Sequence, residues 1–377
     1  MNFEFEPRDQ ELQKQWQQIA RELVAPFAGE IDRSGELPEG LLKNFREIGL
    51  LKPFLNPEPS VEGRDLFLLT LLLEELARVS PVVALLCAQQ VILGIRANLR
   101  SFNLPDRNLL AEKAAAFETV ISLAASEPES GSDLKSLRLS CSREPDGRFL
   151  LNGSKAYVNW AKRAGSILVL AKTKEAEGKG FSLFAVPGSA NGIEFGDTHQ
   201  TMGLNGIEAS PVQMTQVFLS ADRLCGVYGF GFDLYDQIMN EMRVAVGAIA
   251  VGLSQEAYDQ AAQHAKSRKQ FGKAVGSFQS LQWRFADAAT RVESARLHVW
   301  RGVEQAGQKS SCAVQAAMTK VYATEAAFEV VDFAVQALGS KGYIKGAPVE
   351  RLFRDSRFLK IGFGTSELLR NLIATAL

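Results

Sequence analysis

Histidine is nearly absent. The three copies in 377 residues, His199, His264 and His298, lie far apart and pair with no carboxylate at a metal-ligand spacing. A metal enzyme and a Ser-His-Asp hydrolase are both poorly served by such a set. Cysteine is equally thin: Cys87, Cys141, Cys225 and Cys312 are scattered, with no pair two residues apart. That pattern offers neither a zinc site nor a disulfide framework, and it fits reduced thiols and a cytoplasmic location. No basic run exceeds two residues, and 42 Lys and Arg are offset by 43 Asp and Glu for a formal net charge of −1. With a pI near 6.4, nucleic acid and a polybasic membrane contact are disfavoured. The opening MNFEFEPRDQELQKQW has no cationic segment leading into an apolar run, so it does not resemble a signal peptide. The apolar stretch 66–73 runs straight into Glu74 and Glu75. It is too short to span a bilayer and reads as a buried helix.

What is present is enough apolar residue, 46%, to build two or three cores in a chain this long. Three textures follow one another. Residues 1–117 read as helices: 11–25 has helical apolar spacing, Pro38 opens a second helix, 65–79 forms a third, and Pro105 breaks the pattern before Asp106 caps a further turn. Over 118–228 the period shortens to two. FLLNGSKAYV carries an Asn152-Gly153 pair between apolar flanks, which predicts a hairpin, and SILVLAKT, GFSLFAVPG and PVQMTQVFLS read as strands. Over 229–377 long helices return at 233–267, 280–306 and 311–338, joined by links such as FGKAVGSF and GQKSS. The expected architecture is a multi-domain α+β fold with an N-terminal helical domain, a central antiparallel β-barrel and a C-terminal four-helix bundle.

Four segments resemble signatures of the acyl-CoA dehydrogenase family and together span the chain from about residue 120 onward. SEPESGSDL (126–134) is similar to the segment whose small and hydroxyl residues line the flavin and the thioester, here Ser126 and Ser132. NGSKAYVNWA (152–161) resembles the stretch that sets an aromatic and a polar residue beside the isoalloxazine, here Tyr157 and Asn159. RKQFGKAVGSFQ (268–279) is the most specific. Its family counterpart brings an Arg, a Phe and a Gln to the FAD of a neighbouring subunit, which implies Arg268, Phe271 and Gln279. QALGSKGYIKGAPVERLFRD (336–355) resembles the second signature, with Gln336, Gly339, Ser340 and Gly342 in a turn over the partner's FAD, and with Arg351 and Asp355 at its basic and acidic positions.

The resemblance implies FAD as cofactor and an acyl-CoA or acyl-carrier thioester as ligand. It further implies an electron-accepting flavoprotein as partner and a homodimer or homotetramer. Arg243, in NEMRVAVG, falls where the family meets the thioester; Thr365 and Glu367 fall where it contacts FAD. The family base, a Glu, is missing from both of its known places, which hold Phe363 and Met242. Glu241 and Glu367 are the nearest carboxylates, and Glu241 is turned about 100° around the helix from position 242. Three readings follow: α,β-dehydrogenation of a thioester with an unusual base, a flavin monooxygenase or oxidase on the same fold, or a non-catalytic protein that binds FAD and acyl-CoA.

Overall fold

The computed structural model describes residues 6–55, 63–173, 180–306 and 312–376. The first five residues and the GQKSS link (307–311) lie outside the described residues.

Pro7 starts a helical rod, α1 (Pro7–Ile19), that continues through a π-helical turn into α2 (Ala25–Ser34) and stops at Gly35 in the left-handed region. Helices α3 (Glu39–Ile48) and α4 (Arg64–Val79) follow. Helix α4 is buried on almost every face, Glu74 and Glu75 included. Those carboxylates are tolerated because Arg296 and Gln13 meet them at 2.8 and 2.9 Å. Ser80 caps the next helix through the N–H of Val83. Helix α5 (Pro81–Gln89) passes through a π-helical stretch, Gln90–Ala97, into α6 (Asn98–Ser101). This rod, rather than 66–73, is the segment long and apolar enough to cross a membrane, yet 94% of its most apolar stretch is buried inside the fold. A core helix meets the same description. Helix α7 (Arg107–Ala115) comes next. Asp106 does not cap it through its side chain. Its carboxylate instead receives Arg223 Nη1 at 3.0 Å, tying the helical part to the sheet.

Among the described residues eight strands form the central sheet: β1 (Val120–Ala124), β2 (Ser140–Arg143), β3 (Phe149–Val158), β4 (Ala164–Thr173), β5 (Phe181–Pro187), β6 (Ile193–Phe195), β7 (Ser210–Leu219) and β8 (Leu224–Cys225). Their order is β6-β7-β3-β2-β4-β5-β8, with β1 also beside β4. Two corrections follow. Among the described residues the sheet does not close, since β6 and β8 end it without pairing to each other. It is also mixed, because β1 and β2 both run parallel to β4. The Asn152-Gly153 pair makes no hairpin either. It lies inside β3, where the register against β7 shifts. Asn152 Oδ1 accepts the N–H of Gln216 at 2.8 Å, and a Cβ on Gly153 would stand 2.6 Å from Leu139 Cα. The pair marks a bulge where another backbone passes closely.

Helix α8 (Gly231–Ser267) then runs for 37 residues. A short ribbon of β9 (Lys269–Gln270) and β10 (Lys273–Ala274) leads to α9 (Gln279–Ala306), followed by α10 (Ala313–Leu338). These three pack on one another. Helix α12 (Pro348–Leu359), which follows the short α11 (Ser340–Tyr343), takes a fourth place against α8 and α10, and α13 (Ser366–Ala374) lies on α10. Small residues set the spacing: Gly247 meets Thr319 and Val299, and Gly252 meets the backbone of Glu74. Helix α8 therefore serves the bundle and α4 at once, and one continuous core joins the first and last thirds of the chain.

Candidate functional site

The residues singled out by sequence fall into three groups. The first lies along one end of the sheet. After β1 the chain makes a tight turn in which Glu127 and Ser130 exchange backbone hydrogen bonds at 2.7 and 3.1 Å. Beyond that turn Ser132 is exposed, while Ser126 is half-buried and its carbonyl accepts the N–H of Ala156 at 2.9 Å. Strand β3 ends beside this loop. Tyr157 is 65% exposed and tilts against His199 at 4.9 Å. Asn159 is half-buried, and its carbonyl accepts Ser122 Oγ at 2.8 Å. Trp160 is buried and its indole N–H donates to the Gly206 carbonyl at 2.8 Å, which anchors the segment from below.

Two charged residues that the sequence reading passed over hold this group together. Lys155 is wholly buried, and its ammonium donates to the Ala125 carbonyl at 2.8 Å and to Glu127 Oε1 at 3.0 Å. Glu127 also accepts the N–H groups of Arg138 and Leu139 at 2.7 and 2.9 Å. A lysine among the inward positions of an apolar strand was the available signal, because such a charge needs a partner.

The second group surrounds Arg243 on α8. Its side chain is buried; Nη1 donates to Asn240 Oδ1 at 2.6 Å and reaches Asp236 at 3.5 Å, while Nε has no partner. Lys320, on α10, lies within range of Arg243's charge and is completely buried. Its ammonium donates to the Gly364 carbonyl at 2.8 Å. Burial first, and Arg243 second, push Lys320 down to about 7. That contact grips the turn carrying Phe363, which meets Phe358 edge-on at 6.4 Å. Thr365 caps α13 through the N–H of Leu368 at 3.2 Å. Met242 is in the core. Of the two alternative carboxylates, Glu241 is held bidentate by Arg96 at 2.7 and 2.6 Å, and Glu367 is exposed in the first turn of α13.

The third group sits where α8 and α10 end. Arg268, Gln279, Gln336, Gly339 and Ser340 are exposed, and Phe271 is 93% exposed. Burial, then the charges of Lys341 and Arg268, hold His264 below its ordinary value, so the two motifs bring their cations to one place. Gly339 has a positive φ of 59° and open space where a Cβ would be. Arg351 and Asp355 belong elsewhere: Arg351 donates to the Val79 carbonyl at 3.0 Å, and buried Asp355 accepts the N–H of Leu204 at 2.6 Å.

Among the described residues eight that are not glycine have positive φ; three of them, Tyr157, Trp160 and Phe271, lie in the motif segments, and a fourth, Phe363, stands at a family base position. Such strain gathers at ligand sites. An exposed ring beside hydroxyl and amide side chains suits a flat heteroaromatic, and clustered cations beside an open glycine suit a diphosphate. Among the described residues no three His, Cys, Asp or Glu side chains converge to hold a metal ion.

With this geometry the chain belongs to the acyl-CoA dehydrogenase family: the N-terminal, middle and C-terminal domain models of that family match residues 6–102, 122–217 and 229–377. It is 32% identical over 364 residues to the cyclohexane-1-carbonyl-CoA dehydrogenase of Geobacter metallireducens, covering 95% of this chain and 94% of that one. It is 30% identical over 368 residues to the 3-(aryl)acrylate reductase of Clostridium sporogenes, covering 97% of each. The fold matches butyryl-CoA dehydrogenase from Megasphaera elsdenii with a TM-score of 0.92 at 25% identity, over 100% and 99% of the two chains. FAD is the cofactor, and the protein is of the dehydrogenase-type oxidoreductase class.

Proposed function

We propose that the protein carries out α,β-dehydrogenation of an acyl-CoA or related thioester, without a carboxylate at either family base position. The observation that carries this reading is Arg243, a buried guanidinium with an unpaired Nε, whose charge reaches Lys320, the residue that holds the turn of Phe363. A buried cation with spare donor capacity is costly unless a polar ligand completes it. Ser126, Ser132, Tyr157 and Asn159 would hold the ring end of FAD, Thr365 and Glu367 its neighbouring part. Arg268, Phe271, Gln279, Gln336, Gly339 and Ser340 would meet the FAD of a second subunit in a homodimer or homotetramer. Bound FAD supplies two-electron redox chemistry. The chain orients the thioester through Arg243 and Ser132 and lines the reacting carbon with Phe363 and Met242, and the α proton leaves to a bound water or to a base outside positions 242 and 363. A flavoprotein electron acceptor and a cytoplasmic location complete the proposal; all four cysteines are unpaired and three are buried.

Anaerobic mixing of the FAD-loaded protein with acyl-CoAs of graded length tests it. Bleaching of the flavin absorbance is expected with at least one substrate, and a flat response across the series would sink the reading. Phe363 and Met242 favour a second reading, an oxidase or monooxygenase that needs no base at the α carbon. Oxygen uptake in the presence of a reductase, with a product one oxygen heavier, would identify it. Tight acyl-CoA binding with neither response would indicate a non-catalytic binding protein.

A further inference from the structure

The geometry points to Glu127 and Lys155 as positioning residues for FAD: their buried ion pair locks the loop before β2 to the end of β3, so that the two flavin-facing segments act as one unit. The inference rests on the assignment of FAD to this end of the sheet.

Four hydrogen bonds meet at the pair. Lys155 Nζ holds the chain entering the loop at Ala125 and binds Glu127, while Glu127 holds the chain leaving the loop at Arg138 and Leu139. A fifth bond, Ala156 N–H to the Ser126 carbonyl, runs alongside. Ser132 lies in the span between the fastened ends, and Tyr157 is two residues beyond Lys155. Loop and strand cannot shift separately without breaking a buried charged contact. Stability alone is a weak reason to keep such a pair, because desolvation of both ions offsets most of their attraction and apolar replacements often do as well. Removing one partner is different, since it strands a buried charge.

The pair also has a pH signature. Burial, opposed by Glu127, pushes Lys155 down to about 8. Glu127 is the charged group acting on it. Once the ammonium loses its proton the amine still donates, but the charge-assisted contact between the two side chains is lost.

FAD titrations of the protein from pH 6 to pH 10, followed by flavin fluorescence and anisotropy, provide the test. For wild type the dissociation constant should be level below about pH 8 and rise above it. In Lys155→Met and Glu127→Gln, FAD affinity should fall roughly tenfold or more at pH 7. The rise above pH 8 should vanish in Lys155→Met, and the flavin midpoint potential and visible spectrum should shift in both variants. Glu127→Asp should recover part of the affinity. Variants that bind FAD as wild type does, with unchanged spectrum and potential, overturn the proposal. So does a pH-independent dissociation constant in wild type, a result that requires no variant to fold. A wild-type protein that takes up no FAD at any pH overturns the flavin site itself along with its brace.

Discussion

Phe363 occupies a left-handed turn, φ 59°, followed by Gly364 at φ 96°, and the Gly364 carbonyl is held by Lys320. Backbone in this conformation persists because the surroundings over-determine it, and an aromatic ring is not needed for that. If the missing carboxylate is the one defect, Phe363→Glu should confer α-proton exchange on acyl-CoA in deuterated water well above the wild-type rate. Absence of exchange in the variant would mean that the turn's geometry has diverged as well. Lys320 makes a second prediction. A lysine whose folded pKa is depressed contributes stability that is present above its unfolded pKa, near 10.4, and is lost as pH falls towards the folded value. For Lys320 that window runs from about 10.4 down to about 7. Thermal unfolding of wild type should therefore gain stability from pH 7 to pH 10, and Lys320→Met should lose much of that slope. An unchanged slope would remove Lys320 from the account.

Helix α8 shows how an element is placed by what it must touch. The Ala- and Gly-rich run around Gly247 and Gly252 is apolar on all sides, because α4 covers one face and α9 and α10 the others. Gly→Ala normally favours an exposed helix by about 0.5–1 kcal/mol. At Gly252 the sign reverses, since the new Cβ would fall 2.1 Å from the Glu74 carbonyl oxygen. Gly252→Ala should cost about 1–3 kcal/mol in denaturant unfolding, and a neutral result would show that α4 can move away. The three long helices were legible from period and length, as were β4, β5 and β7 as short apolar runs bounded by Gly, Pro or Asn. Asn152-Gly153 misled because a left-handed or extended glycine serves a bulge as well as a turn. Only the neighbouring strand and Leu139 decide between them. The parallel pairing of β1 and β2 with β4 was hidden for a similar reason: strand patterning records which face is buried, not which neighbour runs alongside.

Across the whole molecule, besides the Asp106–Arg223 tie, a seam joins α2 and α12 to the connection before β7. Asp32 on α2 pairs with Arg354 on α12 at 2.7 Å, Asn205 donates to Asp32, and Asp355 accepts the N–H of Leu204. Burial would raise Asp32, but the hydrogen bonds and charge of Arg354 outweigh it and hold the carboxyl below its ordinary range. Asp355 goes the other way, pushed up to about 6 by burial. A raised carboxyl contributes stability that is complete below its unfolded value, about 3.9, and is lost as pH rises through the folded one. Asp355→Asn keeps an acceptor for Leu204. The stability advantage of wild type over this variant should therefore shrink by on the order of 2 kcal/mol between pH 4 and pH 6. Melting curves at the two pH values check it, and a constant difference would contradict it.

The sequence by itself determined the family, the cofactor and the absence of a carboxylate at positions 242 and 363, because each depends on residue identity within a short segment. It also marked Arg243 as a buried charge needing a partner. Tertiary structure alone decided where Glu241 spends its charge, on Arg96 from α5–α6, and which lysines are buried beside the motifs. Lys320 looks like an ordinary surface residue in a linear chain, and the strand pattern marks Lys155 only as a charge that needs a partner, without saying which. Their roles arise from contacts 28 and 44 residues away, and no local pattern encodes a partner at that distance.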